Sequence, residues 1–228
     1  MSVNIDRVYQ KVLALANKEQ RGYITPQEFN LFADHAQKEI FEQYFYDIEQ
    51  FERDPSSDVD LLIEQKIQIF QREYGAITNG YEIPNKVHKI SYVYLHDTQT
   101  QHREYLEKRE AKEFIKIKSG SLLNNSLTTP IYYVYNNKIF IYATSTSPNL
   151  SYRLNVIERP LTPEWAYVIS GENALYNANA AVNFELHSSE ENKLVIKILA
   201  LAGVAIKDFQ LAQVAAGQEA SITQQQKQ

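Results

Sequence analysis

Cysteine is absent from this 228-residue chain. That excludes disulfides, thiolate metal sites and thiol catalysis, and it suits assembly in a reducing cytoplasm. Methionine and tryptophan occur once each, and glycine only seven times. None of those glycines falls in a GxGxxG or P-loop arrangement, so the Gly-rich phosphate cradles are missing, and no GxSxG elbow is present. Long hydrophobic runs are lacking too. The most apolar stretch, 194–206, is too short to span a bilayer and is interrupted by Lys197. The opening MSVNIDRVYQ has no apolar h-region of a signal peptide. A soluble chain with no membrane partner is expected. There is no basic excess either: 23 Lys and Arg stand against 28 Asp and Glu, a formal net charge of −5, which leaves no overall footprint for wrapping nucleic acid.

What the chain does have is tyrosine. Sixteen Tyr and ten Phe accompany an ordinary 44% hydrophobic and 22% charged composition. Tyrosine packs its ring while its hydroxyl stays wet, which fits both an interface-rich protein and a Tyr-rich β-sheet. The length allows one good core or two small ones in tandem.

The organising stretch is 22–53. It opens on Thr25-Pro26-Gln27-Glu28, a capping box with proline at the first helical position. Apolar residues then recur three or four apart at Phe29, Phe32, Ala33, Ala36, Ile40, Tyr44, Ile48 and Phe51. The spacing predicts one strut-like helix of about 25 residues, about 38 Å long, and Phe41 and Phe45 widen its apolar stripe. A shorter helix over about 5–19, with Asn4 as N-cap and an apolar face of Ile5, Val8, Tyr9, Val12, Leu15 and Ala16, precedes it. Gly22 offers a left-handed cap, and the short link predicts an antiparallel helical pair. Beyond the turn at 53–58, Ser57 and Asp60 signal a third helix to about Glu64; the residues after it, with Ile67 and Ile69 alternating, read equally as helix or strand.

From residue 90 the period changes to two. Strands are predicted at 90–95, 131–135, 138–142, 150–156, 167–169, 174–176 and 182–186. Asn136-Asn137 is a type I′ hairpin signal that sets Tyr133 opposite Phe140 on one face and Val134 opposite Ile139 on the other. Both faces are apolar, so both are expected to be covered. The charged run 101–118, with Tyr105, Leu106, Ala111, Phe114 and Ile115, reads as a helix over the sheet. Ser188 and Glu191 form another capping box; the helix behind it is expected to break at Gly203, and a last helix to start at Asp208. The fold class is α+β: an N-terminal helical hairpin with a long strut, a central antiparallel sheet with hairpins and one covering helix, and C-terminal helices packing back on the helical body. The expected regions are 1–73, 74–187, 188–220 and a polar tail, 221–228.

No catalytic constellation emerges. His35, His88, His96, His102 and His187 lack metal-ligand spacing, and His96 and His102 beside Asp97 read as solvated residues at a strand end. Glu42 with Asp47, and Glu190 with Glu191, are carboxylate pairs of the kind common on charged helix faces. No catalytic, metal or cofactor-binding residue is nominated, and an enzyme is not expected. The surfaces that remain are candidate interfaces: Tyr133, Tyr135 and Phe140 on the hairpin, and Phe209, Leu211 and Val214 near the C-terminus.

Four stretches carry a resemblance: LALANKEQRGYITPQEFNLFADHAQKEIFEQYF, TTPIYYVYNNKIFIYATS, YRLNVIERPLTPEWAYVISGENALYNAN and FELHSSEENKLVIKILALAGVAIKDFQLAQVAAGQEASI. In this order they resemble a family of virion proteins of crAss-like podoviruses, whose member below the portal is a neck ring, or head-to-tail connector, protein. The resemblance spans nearly the whole chain and is weakest over 63–122. It implies a structural subunit of the virion neck or tail, assembled in the host bacterial cytoplasm. The implied partners are the portal protein, neighbouring copies in a twelvefold ring and other tail or neck proteins, while DNA passes through the channel without specific binding. No enzymatic role carries over. A fibre or tail adaptor, and more remotely a virion-associated enzyme, are the alternatives.

Overall fold

The computed structural model describes residues 2–18, 24–51, 59–119, 130–142, 149–171 and 173–205. The chain divides into two units: Met1–Ile69 with Pro160–Gln228, and Phe70–Arg159. These limits differ from those drawn at 73 and 187, because the chain returns to the helical unit at Pro160.

In the first unit, β1 (Ser2–Val3) leads into α1 (Ile5–Lys18), where the Asn4 side chain accepts the Arg7 N–H at 2.9 Å. α2 (Pro26–Phe51) begins at the capping box: the Glu28 carboxylate accepts the Thr25 N–H at 2.9 Å and its hydroxyl at 2.8 Å, and the Glu28 N–H donates to Thr25 Oγ1 at 3.2 Å. α2 buries Phe29, Ala33, Ala36, Ile40, Phe41 and Tyr44; α1 buries Ile5, Val8, Tyr9, Val12 and Ala16 but leaves Leu15 exposed. α3 (Val59–Gln68) is helical through Ile67, closing that alternative, and packs on α2.

The segment after Pro160 returns to these helices through two amides, one half-buried and one buried, about two turns apart on one face of α2. Asn30 accepts the Trp165 N–H at 2.8 Å and donates to its carbonyl at 3.4 Å. Fully buried Gln37 donates to the Leu161 carbonyl at 2.7 Å and accepts the Glu185 N–H at 3.0 Å. The Trp165 ring lies 4.3 Å from that of Tyr9, and its Nε1–H donates to Asp6 at 2.9 Å.

The second unit holds two four-stranded sheets. β2 (Gln71–Ile77), β4 (Val87–Asp97) and β5 (Arg103–Tyr105) join β9 (Leu150–Glu158) in the order β2-β9-β4-β5. β3 (Tyr81–Glu82), β6 (Glu107–Lys108), β7 (Ile131–Tyr135) and β8 (Lys138–Tyr142) form the order β3-β8-β7-β6. Pairing is antiparallel except for β6 with β7, which is parallel. One core joins the sheets: Val93, Leu95, Leu154 and Val156 from the first, Tyr132, Ile139 and Ile141 from the second, with Leu106 between.

The run 101–118 is therefore not one helix. It supplies edge strands to both sheets and only then α4 (Ala111–Ser119). The crossing is at buried Leu106, whose N–H donates to the Val93 carbonyl at 2.8 Å, while the Glu107 N–H donates to Pro130 at 3.0 Å. Asn136 and Asn137, with φ of 48° and 58°, turn the β7–β8 hairpin in the predicted register.

Back in the helical unit, β10 (Tyr167–Ser170) and β11 (Asn173–Tyr176) form a separate two-stranded sheet turned through Gly171 at φ 65°. β12 (Phe184–His187) pairs with β1. α5 (Glu191–Ala205) packs against both α1 and α2. It buries Leu194, Val195, Ile198, Leu199 and Ala202 and runs through Gly203 without breaking, since burial on two helices outweighs a propensity cost of about 1 kcal/mol. The cap before it is also not the expected one: His187 accepts the Ser189 N–H at 3.3 Å ahead of a single 3-10 turn, and Glu191 instead meets Arg7 at 3.0 Å and Lys11 at 2.5 Å. Gly22, the turn at 53–58, the helix from Asp208 and the tail 221–228 lie outside the described residues.

Candidate functional site

The hairpin residues nominated from the sequence divide in two. Tyr133 stacks on Phe140 with ring centroids 5.0 Å apart, and Phe114 of α4 sits 4.4 Å from Tyr133. Tyr133 and Phe140 are both half-buried, Tyr133 beneath α4. Tyr135, 64% exposed, is the one that faces solvent. Phe209, Leu211 and Val214 lie outside the described residues.

A second surface, not nominated from the sequence, is the outer face of the β2-β9-β4-β5 sheet. Register sets Tyr92 opposite Asn155, Tyr94 opposite both Arg153 and Tyr105, and Glu73 opposite Asn155. Tyr92 and Tyr105 meet edge to face at 5.4 Å and are both exposed, while Tyr94 is buried beneath them. The Arg103 guanidinium lies 5.3 Å from the Tyr94 ring centroid, a cation–π geometry. The Tyr94 hydroxyl donates to Glu73 at 2.8 Å, and Arg153 pairs with Glu73 at 2.6 Å. These two bonds, Arg153 first, hold the Glu73 carboxyl below the usual range. Burial, and then Glu73, push the Tyr94 phenol up. Arg103 is in no ion pair among the described residues and lies on the Tyr94 ring, so this face presents two exposed tyrosine rings beside a guanidinium held by a third.

The third surface is the β10–β11 arm. Tyr167 and Tyr176 stack on Trp165 at 5.9 and 5.6 Å and root it. Val168 and Leu175, paired across the strands, and Ile169 are all exposed. The strands YVIS and NALY carry no charge, and neither pairs with a third strand among the described residues. Apolar, uncharged edges of this kind are what strand-adding partners use.

The titratable groups weighed for chemistry serve the fold. The Asp97 carboxylate accepts the Gln99 N–H and the Thr100 hydroxyl, both at 2.8 Å, and these bonds, in that order, hold it below the usual carboxylate range. His102 is exposed, but His96 is buried rather than solvated, because β4 lies between β9 and β5. Glu190 and Glu191 diverge. Glu190, 1% exposed, pairs with Lys66 at 2.6 Å and stands near Tyr44 and Lys193. Burial, then Glu190, raise the Tyr44 phenol; burial lowers the Lys193 amine, with Lys197 and Lys66 adding to that and Glu190 and Asp47 opposing it. Among the described residues no group of three His, Cys, Asp or Glu is placed to hold a metal ion, and no helix is long and apolar enough to cross a membrane.

Compared with models of known protein families and with curated proteins, the chain matches none.

Proposed function

We propose that this chain is a structural subunit of a tailed-phage neck, a ring or head-to-tail connector protein that docks on the portal and extends the DNA channel. The resemblance of its four sequence stretches to neck proteins of crAss-like podoviruses suggests the assembly. The observation that carries the reading is the β10–β11 arm. A two-stranded sheet that leaves Val168, Ile169 and Leu175 exposed on uncharged strands is marginal by itself and gains stability when a partner covers it. Exposed Tyr135 and the tyrosine–arginine sheet face on one unit, and the arm on the other, give each unit surface of the kind a subunit with neighbours uses.

The test is quantitative mass spectrometry of purified virions. A stoichiometry near one copy per portal subunit supports a neck ring sharing the portal's symmetry. A much lower ratio points to a fibre or tail-tip part, and absence from particles refutes the structural reading.

A further inference from the structure

The two units carry opposite charge. Phe70–Arg159 holds 12 Lys and Arg against 8 Asp and Glu, a net of +4, whereas the rest of the chain holds 11 against 20, a net of −9. Half of the basic excess lies on α4, where Lys112, Lys116 and Lys118 stand against the single Glu113, a net of +2. All three lysines are exposed and in no ion pair among the described residues. The spacing explains why. Side chains three or four apart are neighbours on a helix, and within α4 Lys112 is so placed to Ile115 and Lys116, and Lys118 to Phe114 and Ile115. Only Lys116 has an acid within a turn, Glu113, and the Arg109 guanidinium lies 3.9 Å from that carboxylate. Lys112 and Lys116, four apart, repel one another, and an anion lying across both relieves that repulsion.

We propose that the lysine-bearing outer face of α4 rests on the phosphate backbone of double-stranded DNA without reading its sequence. The inference rests on the ring-subunit reading for its choice of DNA as the polyanion; charge complementarity supplies the rest. Lysine is a compact charge on a flexible stem, suited to phosphate but without the planar fork by which arginine grips a base edge, and α4 carries no arginine. A protein partner fits this face less well. Lysine is depleted from protein interfaces, whose anchors are tyrosine, tryptophan and arginine, and α4 has none of those three. A single strand is disfavoured because its bases stack on aromatic rings, and the one ring of α4, Phe114, is buried against Tyr133 at 4.4 Å. A lipid surface needs a broad apolar face, whereas Ile115 is the only large apolar side chain that α4 leaves exposed.

The experiment is fluorescence anisotropy of a labelled DNA duplex of about 20 base pairs, titrated with the full-length protein from about 50 to 200 mM salt. Neutralising three phosphates predicts that the logarithm of the binding constant falls against the logarithm of salt concentration with a slope of about −2.7. Duplexes of different sequence are expected to bind alike. Lys112→Gln, Lys116→Gln and Lys118→Gln are each expected to make the slope shallower by about 0.9, and Lys116→Arg, which keeps the charge, to preserve it. Lys89→Gln removes the same charge from an exposed site on β4 and is expected to leave the slope unchanged, which separates α4 from the charge of the whole unit. Unchanged circular dichroism identifies each variant as folded. No measurable binding at the lowest salt, a slope indifferent to the three α4 substitutions, or a Lys89→Gln effect equal to theirs overturns the proposal. So does tighter binding of a single strand, a duplex RNA or polyglutamate than of duplex DNA. Virion stoichiometry of the unaltered protein is read separately: a subunit present at one copy per portal subunit that fails to bind the duplex sinks this inference alone, and absence from particles sinks the ring reading.

Discussion

Replacing Lys66 by methionine isolates the buried charge cluster of the helical unit. Glu190 has a side chain only 2% exposed, and its Oε1 lies 2.6 Å from the Lys66 ammonium. Its other oxygen, Oε2, has no hydrogen-bond partner among the described residues. Lys66→Met therefore leaves a carboxylate in the interior without its direct partner. Breaking a fully buried pair in this way costs about 3–5 kcal/mol. Lys66 is itself 17% exposed, and the Lys193 amine nearby takes up part of the charge, so the expected loss is at the lower end, about 3 kcal/mol. Glu190→Gln in the same background removes the orphaned charge and is expected to recover at least about 1.5 kcal/mol of it. Urea unfolding followed by tryptophan fluorescence reads this directly. The chain has one tryptophan, and Trp165 sits in the helical unit between Tyr9 and the root of the arm. A Lys66→Met loss below about 1 kcal/mol, or a double variant as unstable as the two single losses added, would refute the claim that the pair is coupled and desolvated.

Thr25→Ala removes both hydroxyl bonds of the α2 capping box, leaving only the backbone N–H bond to Glu28, and is expected to cost about 1 kcal/mol in the same fluorescence assay. Asn137→Ala forces a β-carbon without local hydrogen bonding into φ 58° and deletes the 2.7 Å bond to the Ile83 carbonyl; an expected loss of about 2 kcal/mol is measured by hydrogen exchange of the β7–β8 amides. Glu73 and Glu158 both have carboxyls held below their ordinary 4.5, Glu73 by Arg153 and then Tyr94, Glu158 by Tyr74 and Lys86 against the opposing effect of burial. Their contribution to the β unit is thus fully present above the ordinary value and lost as pH falls through the lowered ones; Glu73→Gln is expected to flatten the acid limb of its stability profile. Val168→Lys with Leu175→Glu sets opposite charges on paired, exposed arm positions, so the unfolding midpoint is expected to hold while incorporation into virions falls.

Local signals with their own hydrogen-bond chemistry were legible in advance. The Thr25–Glu28 box and the Asn136-Asn137 turn each specify geometry within a few residues, and both formed as the sequence implied. Tertiary connections were not. Asn30 and Gln37 interrupt the apolar periodicity of α2 and read as surface residues, yet they satisfy backbone groups of Leu161, Trp165 and Glu185 more than a hundred residues away. The strand Arg103–Tyr105 was hidden because an edge strand tolerates charge on alternate positions, which on paper looks like a solvated helix. The antiparallel pairing expected of the first two helices missed α5, whose apolar residues pack against both.

The same limit governs the interaction surfaces. Tyr133 and Phe140 were nominated because aromatic residues on a two-faced hairpin need cover, and for Tyr133 that cover is Phe114 of α4 within the same chain, with Phe140 stacked beside it. Tyr92 and Tyr105 carry the opposite lesson. Nothing in the alternation of β4 distinguishes Tyr92 from the buried Tyr94 two positions on; only the register with Arg153, Glu73 and Tyr105 sets which ring is covered. Net charge behaves alike. The total of −5 argued against anionic partners for the whole chain, but that average conceals a basic unit and an acidic one whose boundary at Pro160 becomes visible only once Asn30 and Gln37 are seen to hold the returning segment. Within the basic unit, what a partner meets at the tyrosine face is decided by single contacts: Glu73 pairs with Arg153 and the Tyr94 ring carries Arg103, so the face offers the rings of Tyr92 and Tyr105 rather than a row of cations for a polyanion.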